Sequence, residues 1–306
     1  MRTIKLGKSG MDVPAVAVGC MRMNGLDKHD ADIFIKSALD MGANFFDHAD
    51  IYGRGECEAL FAEAVGMNAR IREEMIIQSK CGIVPEKMYD FSKEHILESV
   101  DGSLRRLRTD YLDVLLLHRP DALVEPDEVA EAFDLLKASG KVRHFGVSNQ
   151  DPYFMQLLQN SMKQPIVANQ LQLSLTNATL IDQTLNMNIL DELAVDRDNG
   201  ALNFCRLNNI TVQAWSPFQY GMFAGVFIGN EKFAGLNGKL EEIAAKYGVS
   251  ATTIVIAWIT RHPAHIMPVT GTMNVEHLRD CVKAADITLT REDWYALYLA
   301  AGHRLP

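Results

Sequence analysis

Four side chains have the types and the order for acid–base work on a carbonyl group: Asp47, Tyr52, Lys80 and His118. A free phenol has a pKa of about 10, which makes it a slow proton donor at neutral pH. A nearby ammonium favours the phenolate and lowers that value, and Lys80 is the candidate ammonium. Asp47 would hold Lys80 charged and in place. His118 would donate a hydrogen bond to a carbonyl oxygen and orient it. Tyr52 would protonate that oxygen as hydride arrives at carbon. Plainer explanations exist for each: a capping aspartate, a solvated lysine, a structural histidine. Position outweighs them, because all four fall at the ends of predicted strands.

Those strands are short apolar runs starting near Ala15, Asn44, Met75, Leu112, Val142, Ile166, Ile210 and Ile266. Helical spacing separates them, as in 30–40, 56–65, 93–106, 127–138 and 152–161. The pattern loosens after Leu171, where the spacing predicts a helix over 179–193 and another over 202–207. A long Gly- and Phe-rich loop is expected from Phe218 to Gly238, then helices over 239–247, 251–261, 275–284 and 291–301. Eight strands alternating with helices predict a (β/α)8 TIM barrel, read as a single domain over 1–306. Turn residues at Gly7–Gly10 predict an N-terminal β-hairpin, and the end of the chain adds C-terminal helices. An open doubly wound sheet would announce a dinucleotide with Gly-x-Gly-x-x-Gly after its first strand. Here that place reads Gly19-Cys20-Met21-Arg22.

Reacting groups of such a barrel gather at the C-terminal ends of the strands. Besides the four above, those ends carry Ser148, Asn149, Gln170, Trp215 and Ser216.

The chain has 306 residues, 48% of them hydrophobic, enough for a sizeable core. A formal charge of -9 without a basic block argues against nucleic acid or an anionic membrane as partner. The five cysteines are scattered, with no Cys-x-x-Cys pair, so neither a disulfide frame nor a metal site is expected. With no signal-peptide pattern and no long apolar run, a cytoplasmic protein is expected. Oligomeric state is not legible.

Several segments resemble the aldo-keto reductase family, and its bacterial oxidoreductase branch in particular. They are Phe46-Asp47-His48-Ala49-Asp50-Ile51-Tyr52-Gly53, Ser79-Lys80, Leu117-His118, Gly146-Val147-Ser148-Asn149, Asn169-Gln170, Trp215-Ser216-Pro217 and Gly271-Thr272. The resemblance implies an NADPH-dependent reductase of small aldehydes and ketones, with Asp47, Tyr52, Lys80 and His118 as its catalytic tetrad. It also implies the cofactor contacts. Ser148, Asn149 and Gln170 would hold the nicotinamide carboxamide, and Trp215 would stack on the ring. Cys20, Met21 and Asp47 would border the cofactor, and Ser216, Pro217 and Phe218 would cover the pyrophosphate. Gly271, Thr272, Asn274 and Arg279 would face the adenosine end, with helix N-terminal amides on the 2′-phosphate. Many family members carry a basic residue after the Gly-Thr turn. This chain has Met273, which leaves NADH possible.

Two other classes fit part of the pattern. A cofactor-binding regulatory module, resembling channel β subunits, would keep NADPH bound and turn over slowly. A Schiff-base aldolase would use Lys80 as nucleophile, which a neighbouring Asp47 disfavours by raising the lysine's pKa.

Overall fold

The computed structural model describes residues 1–305. The chain opens with an antiparallel hairpin, β1 (Thr3–Lys5) and β2 (Asp12–Pro14), as the turn residues predict. Then come β3 (Ala17–Gly19), α1 (Lys28–Asp40), β4 (Phe45–Asp47), α2 (Glu56–Val65), α3 (Ala69–Glu73) and β5 (Ile76–Cys81). A small outer hairpin follows, β6 (Ile83–Val84) with β7 (Met88–Tyr89), then α4 (Lys93–Leu107) and β8 (Leu112–Leu117). The alternation continues through α5 (Pro126–Ala138), β9 (Val142–Ser148), α6 (Pro152–Ser161) and β10 (Ile166–Gln172). Next are α7 (Thr179–Leu185), α8 (Ala201–Asn208), β11 (Thr211–Trp215), α9 (Ala234–Tyr247), α10 (Ala251–Thr260) and β12 (Met267–Thr270). The last helices are α11 (Val275–Lys283) and α12 (Arg291–Ala300).

The strands β3, β4, β5, β8, β9, β10, β11 and β12 pair in parallel, in chain order, and β12 closes on β3. This is the eight-stranded barrel that the alternation predicts. Period-two alternation sends Phe46 and Ile77 outward to the helices, and Phe45, Val114, Leu116, Ala168 and Met267 inward. The hairpin closes the lower mouth, adding Ile4, Leu6 and Val13 to that inner cluster. Its turn lies so close that a Cβ on Gly7 would stand 2.3 Å from the Val167 carbonyl oxygen. The Gly7 amide also donates to Thr211 Oγ1 at 2.8 Å.

Three elements depart from the sequence expectation. The helix predicted over 179–193 ends at Leu185, and a single 3-10 turn covers Glu192–Ala194. Met187 and Leu190 there are exposed, so the segment has no apolar face to bury. The loop predicted up to Gly238 ends earlier, because α9 begins at Ala234; Gly235 and Gly238 weaken the helical signal. The short α3, capped by Asn68, lacks the length for a periodic signal.

The C-terminal tail is stapled to the segment after β10. His303 stacks on Tyr298 at 4.4 Å between ring centroids, and its Nδ1 lies 3.0 Å from Asp182 Oδ1. Among the described residues no single helix is long and apolar enough to cross a membrane.

Beneath the barrel, a buried ion pair fixes β5 against β8. Arg72 Nη2 lies 2.6 Å from Asp113 Oδ2, which also accepts from the Ile77 amide at 2.9 Å. Asp113→Leu strands the Arg72 charge, so chemical denaturation should show a loss of about 3–5 kcal/mol. A loss below about 1 kcal/mol would mean that the pair is replaceable.

Candidate active site

Asp47 ends β4 and Lys80 lies near the end of β5, both pointing into the barrel. Lys80 is fully buried, and its three ammonium protons meet three acceptors. Nζ donates to Asp47 Oδ2 at 2.8 Å, to the His48 carbonyl at 2.8 Å and to Tyr52 Oη at 3.1 Å. Because the phenol oxygen accepts from lysine, its own proton is free to be donated elsewhere. His118 follows β8, and its ring meets that of Tyr52 edge-on at 6.0 Å. All four groups therefore share one mouth.

Burial alone would lower the lysine's pKa. The Asp47 charge and the contact with Tyr52 outweigh it, so Lys80 stays an ammonium. For Tyr52 the balance differs from expectation. Burial raises its pKa, and Lys80 opposes that rise without reversing it. His118 is held well below the usual imidazole range by burial, with Lys80 and Arg119 adding to the effect. A neutral imidazole keeps one N–H to donate.

The loop carrying Tyr52 is set by backbone that only glycine takes easily. Gly53 and Gly55 have φ of 56° and 93°. A Cβ on Gly55 would stand 2.7 Å from Arg106 Cδ. Arg106 passes there to reach the buried Glu58, Nε to Oε2 at 2.7 Å, and Ser79 Oγ donates to Glu58 Oε1 at 2.6 Å. Glu58 on α2 thus ties the tyrosine loop to the strand that carries Lys80.

Across the mouth, Asn149 and Ser216 adopt left-handed backbone, φ 58° and 52°, an uncommon conformation that concentrates at functional sites. Asn149 Nδ2 donates to Ser148 Oγ at 2.7 Å, while its Oδ1 accepts from Trp215 Nε1 at 3.1 Å. The indole is half-buried, with the Arg119 guanidinium 5.8 Å from its ring. Ser148 Oγ donates to the Gln170 carbonyl at 3.1 Å. A half-exposed aromatic face beside amide and hydroxyl groups fits a nicotinamide ring with its carboxamide.

The remaining sequence candidates are more dispersed. Cys20 is fully buried, and its Sγ donates to the Val18 carbonyl at 3.6 Å. Met21 follows it, half-buried. Pro217 is buried and Phe218 half-buried at the start of the loop after β11. After β12, Gly271 accepts from Arg22 Nη1 at 3.2 Å. Thr272 Oγ1 takes the Asn274 amide at 3.1 Å. Asn274 Oδ1 itself caps α11, accepting from Glu276 and His277 amides at 2.9 and 3.0 Å. Arg279 pairs with Glu276 at 2.5 Å. The amides expected to face a phosphate are thus partly taken by the chain's own cap.

The aldo/keto reductase family model matches residues 15–298. The chain belongs to the aldo/keto reductase family. It is 37% identical to the uncharacterized oxidoreductase YcsN of Bacillus subtilis (strain 168), over all of both chains. It is 37% identical to a 6-dehydroglucose reductase of Agrobacterium fabrum, over 87% of this chain and 86% of that one. An aldo-keto reductase from Klebsiella pneumoniae, solved in complex with NADPH, superposes with a TM-score of 0.76 at 25% identity, covering 97% and 93%. The thermostable aldo-keto reductase Tm1743, in complex with the inhibitor epalrestat, gives 0.77 at 28% identity, covering 98% and 100%.

Within this reductase, sequence reasoning passed over Gln78 and Gln213, which complete the buried polar layer beneath Lys80. Gln78 Nε2 donates to Asp47 Oδ1 at 2.5 Å and to Gln213 Oε1 at 2.8 Å. The available signal was a polar residue at an inward position of an apolar strand, two before Lys80 and two before Trp215. A separate cavity of about 570 Å³ lies on the flank, lined by Asp50, Arg54, Ser99 and Arg105 among others, and does not include the tetrad.

His48 is fully buried against Phe61, with ring centroids 4.6 Å apart, and neither ring nitrogen has a hydrogen-bond partner. Burial, with Lys80 nearby, lowers its pKa to about 3. The unfolded chain takes up this proton near the ordinary value of 6.5, while the folded chain does not. Stability from this group is therefore complete above pH 6.5 and is lost as pH falls towards 3, by about 1.4 kcal/mol per pH unit. His48→Leu should flatten that part of the acid slope in urea unfolding. Identical slopes for the two proteins would contradict the assignment.

Proposed function

We propose that this protein reduces aldehydes and ketones to alcohols with NADPH, with Tyr52 as the proton donor. The observation that carries the reading is the buried ammonium of Lys80 shared between Asp47 and the Tyr52 oxygen. NADPH supplies the hydride when bound. Lys80 stabilises the phenolate that forms as Tyr52 gives up its proton, and Asp47 keeps the lysine charged. His118, neutral through burial, donates to the carbonyl oxygen and sets its direction. Ser148, Asn149 and Gln170 hold the carboxamide, and Trp215 offers its face to the ring.

The family and its reductase relatives support an enzyme and do not favour the regulatory-module reading. An aldolase is disfavoured because all three Lys80 donors are occupied and its pKa is raised. A cytoplasmic location belongs to the same proposal, supported by five buried, unpaired thiols. Two relatives are named 6-dehydroglucose reductases, so that aldehyde belongs in the first substrate panel.

Tyr52→Phe should lower kcat by about 10²–10⁴-fold while NADPH binding, followed by fluorescence, stays near wild type. Wild-type turnover in this variant across several carbonyls would remove Tyr52 as the donor. At the adenosine end, Arg279→Ala should weaken NADPH binding and leave NADH binding unchanged. Equal losses for the two cofactors would take Arg279 away from the 2′-phosphate.

A further inference from the structure

Below the tetrad, three glutamines from three strands and one carboxylate fill the barrel's upper interior. Gln78 on β5, Gln170 on β10 and Gln213 on β11 are 0%, 3% and 0% exposed. Gln170 Nε2 donates to Asp47 Oδ1 at 3.0 Å and to Gln213 Oε1 at 2.9 Å. Gln78 Nε2 makes the same pair of bonds from the other side, to Asp47 and Gln213. The ring closes when Gln213 Nε2 donates to Gln78 Oε1 at 2.9 Å.

The amide directions in this ring are dictated by chemistry. An ionised carboxylate can only accept, so Asp47 demands the nitrogen ends of Gln78 and Gln170. Gln213 then presents its oxygen to both nitrogens and its nitrogen to the one remaining oxygen. For Gln170 both Nε2 protons are spent inside the barrel. Its Oε1 meets no donor among the described residues, and it is the end left for the mouth.

We propose that Gln213 is a positioning residue that locks the Gln170 amide with its oxygen towards the mouth, where it selects a ligand bearing an N–H donor. The inference rests on the carbonyl-reductase reading, in which that donor is the amide nitrogen of the nicotinamide carboxamide. Gln213 itself touches neither Asp47 nor Lys80 by any hydrogen bond; it acts through Gln170 and Gln78. Without it, Gln170 keeps only the Asp47 bond for its two amide protons, so one of the two bonds that resist a flip is gone. An oxygen-outward glutamine accepts from an amide NH₂. A flipped one offers donors and favours a bare carbonyl instead.

The test compares NADP⁺ with its 3-acetylpyridine analogue, in which a methyl group replaces the carboxamide nitrogen. Binding is followed by quenching of tryptophan fluorescence, without turnover, in wild type, Gln213→Met and Gln213→Glu. Gln213→Met keeps the length and removes both polar ends. Gln213→Glu, when protonated, keeps an acceptor oxygen and an O–H donor in the same places. The wild type should prefer NADP⁺. The Met variant should lose about fivefold or more of that preference, as for one hydrogen bond, and the Glu variant should keep it. A role in packing alone predicts the reverse order, since methionine fills the space and a carboxyl crowds Asp47. An unchanged ratio in the Met variant overturns the proposal, as does a collapsed ratio in the Glu variant. Should the Met variant fail to fold by circular dichroism, the Glu variant decides alone. If the wild type binds neither dinucleotide, the reductase reading itself fails; if it binds NADP⁺ with no preference over the analogue, only the present inference does.

Discussion

A primary ammonium sealed inside a protein is costly unless every proton finds an acceptor and a counter-charge lies in contact. Lys80 meets both demands through Asp47, the His48 carbonyl and Tyr52. Those three acceptors come from a single stretch, the end of β4 and the loop after it. The lysine therefore fixes the path of that loop as much as the loop fixes the lysine. Much of the surrounding architecture serves the same contact. Glycines at 53 and 55 give the loop its curvature, and Glu58 bolts the following helix to Ser79, next to the lysine.

The barrel interior is divided by this requirement. Its lower part is apolar and plugged by the N-terminal hairpin, which excludes water from beneath. Its upper layer is polar but internally satisfied, with Asp47 accepting from Lys80 and from two glutamine amides. In such a medium an unmet donor would be expensive, so the amides are held to one pattern. The proton-donating side, Asp47 with Lys80 and Tyr52, and the ring-holding side, Gln170 with Ser148 and Asn149, share that layer.

Burial sets the electrostatics of Tyr52 and His118, whereas at Lys80 the Asp47 charge overrides it. Burial keeps His118 neutral and raises the phenol, while Lys80 works against that rise. A phenol that keeps its proton until a negative oxygen develops beside it suits a donor, and the ammonium then stabilises what remains. His48, buried one residue after Asp47 with no partner for its ring, is the weak point that this crowding leaves under acid.

The sequence alone determined the order of the eight strands, since short apolar runs alternate with helical spacing over most of the chain. It also determined which residues stand at the strand ends, because runs stop at polar residues such as Asp47, Ser148 or Gln170. Local pattern carries that much because backbone geometry is local. It misjudged the helix after Leu185, where apolar residues have no surface to cover, and the start of α9, where two glycines hide helical backbone. Only the tertiary structure decided three further matters. It showed that burial outweighs Lys80 at the Tyr52 phenol, because desolvation depends on everything around the group. It showed Asn274 spending its side chain on the amides that sequence reasoning reserved for a phosphate. And it joined Gln78 to Gln213, 135 positions apart, through a barrel closure whose register no single strand encodes.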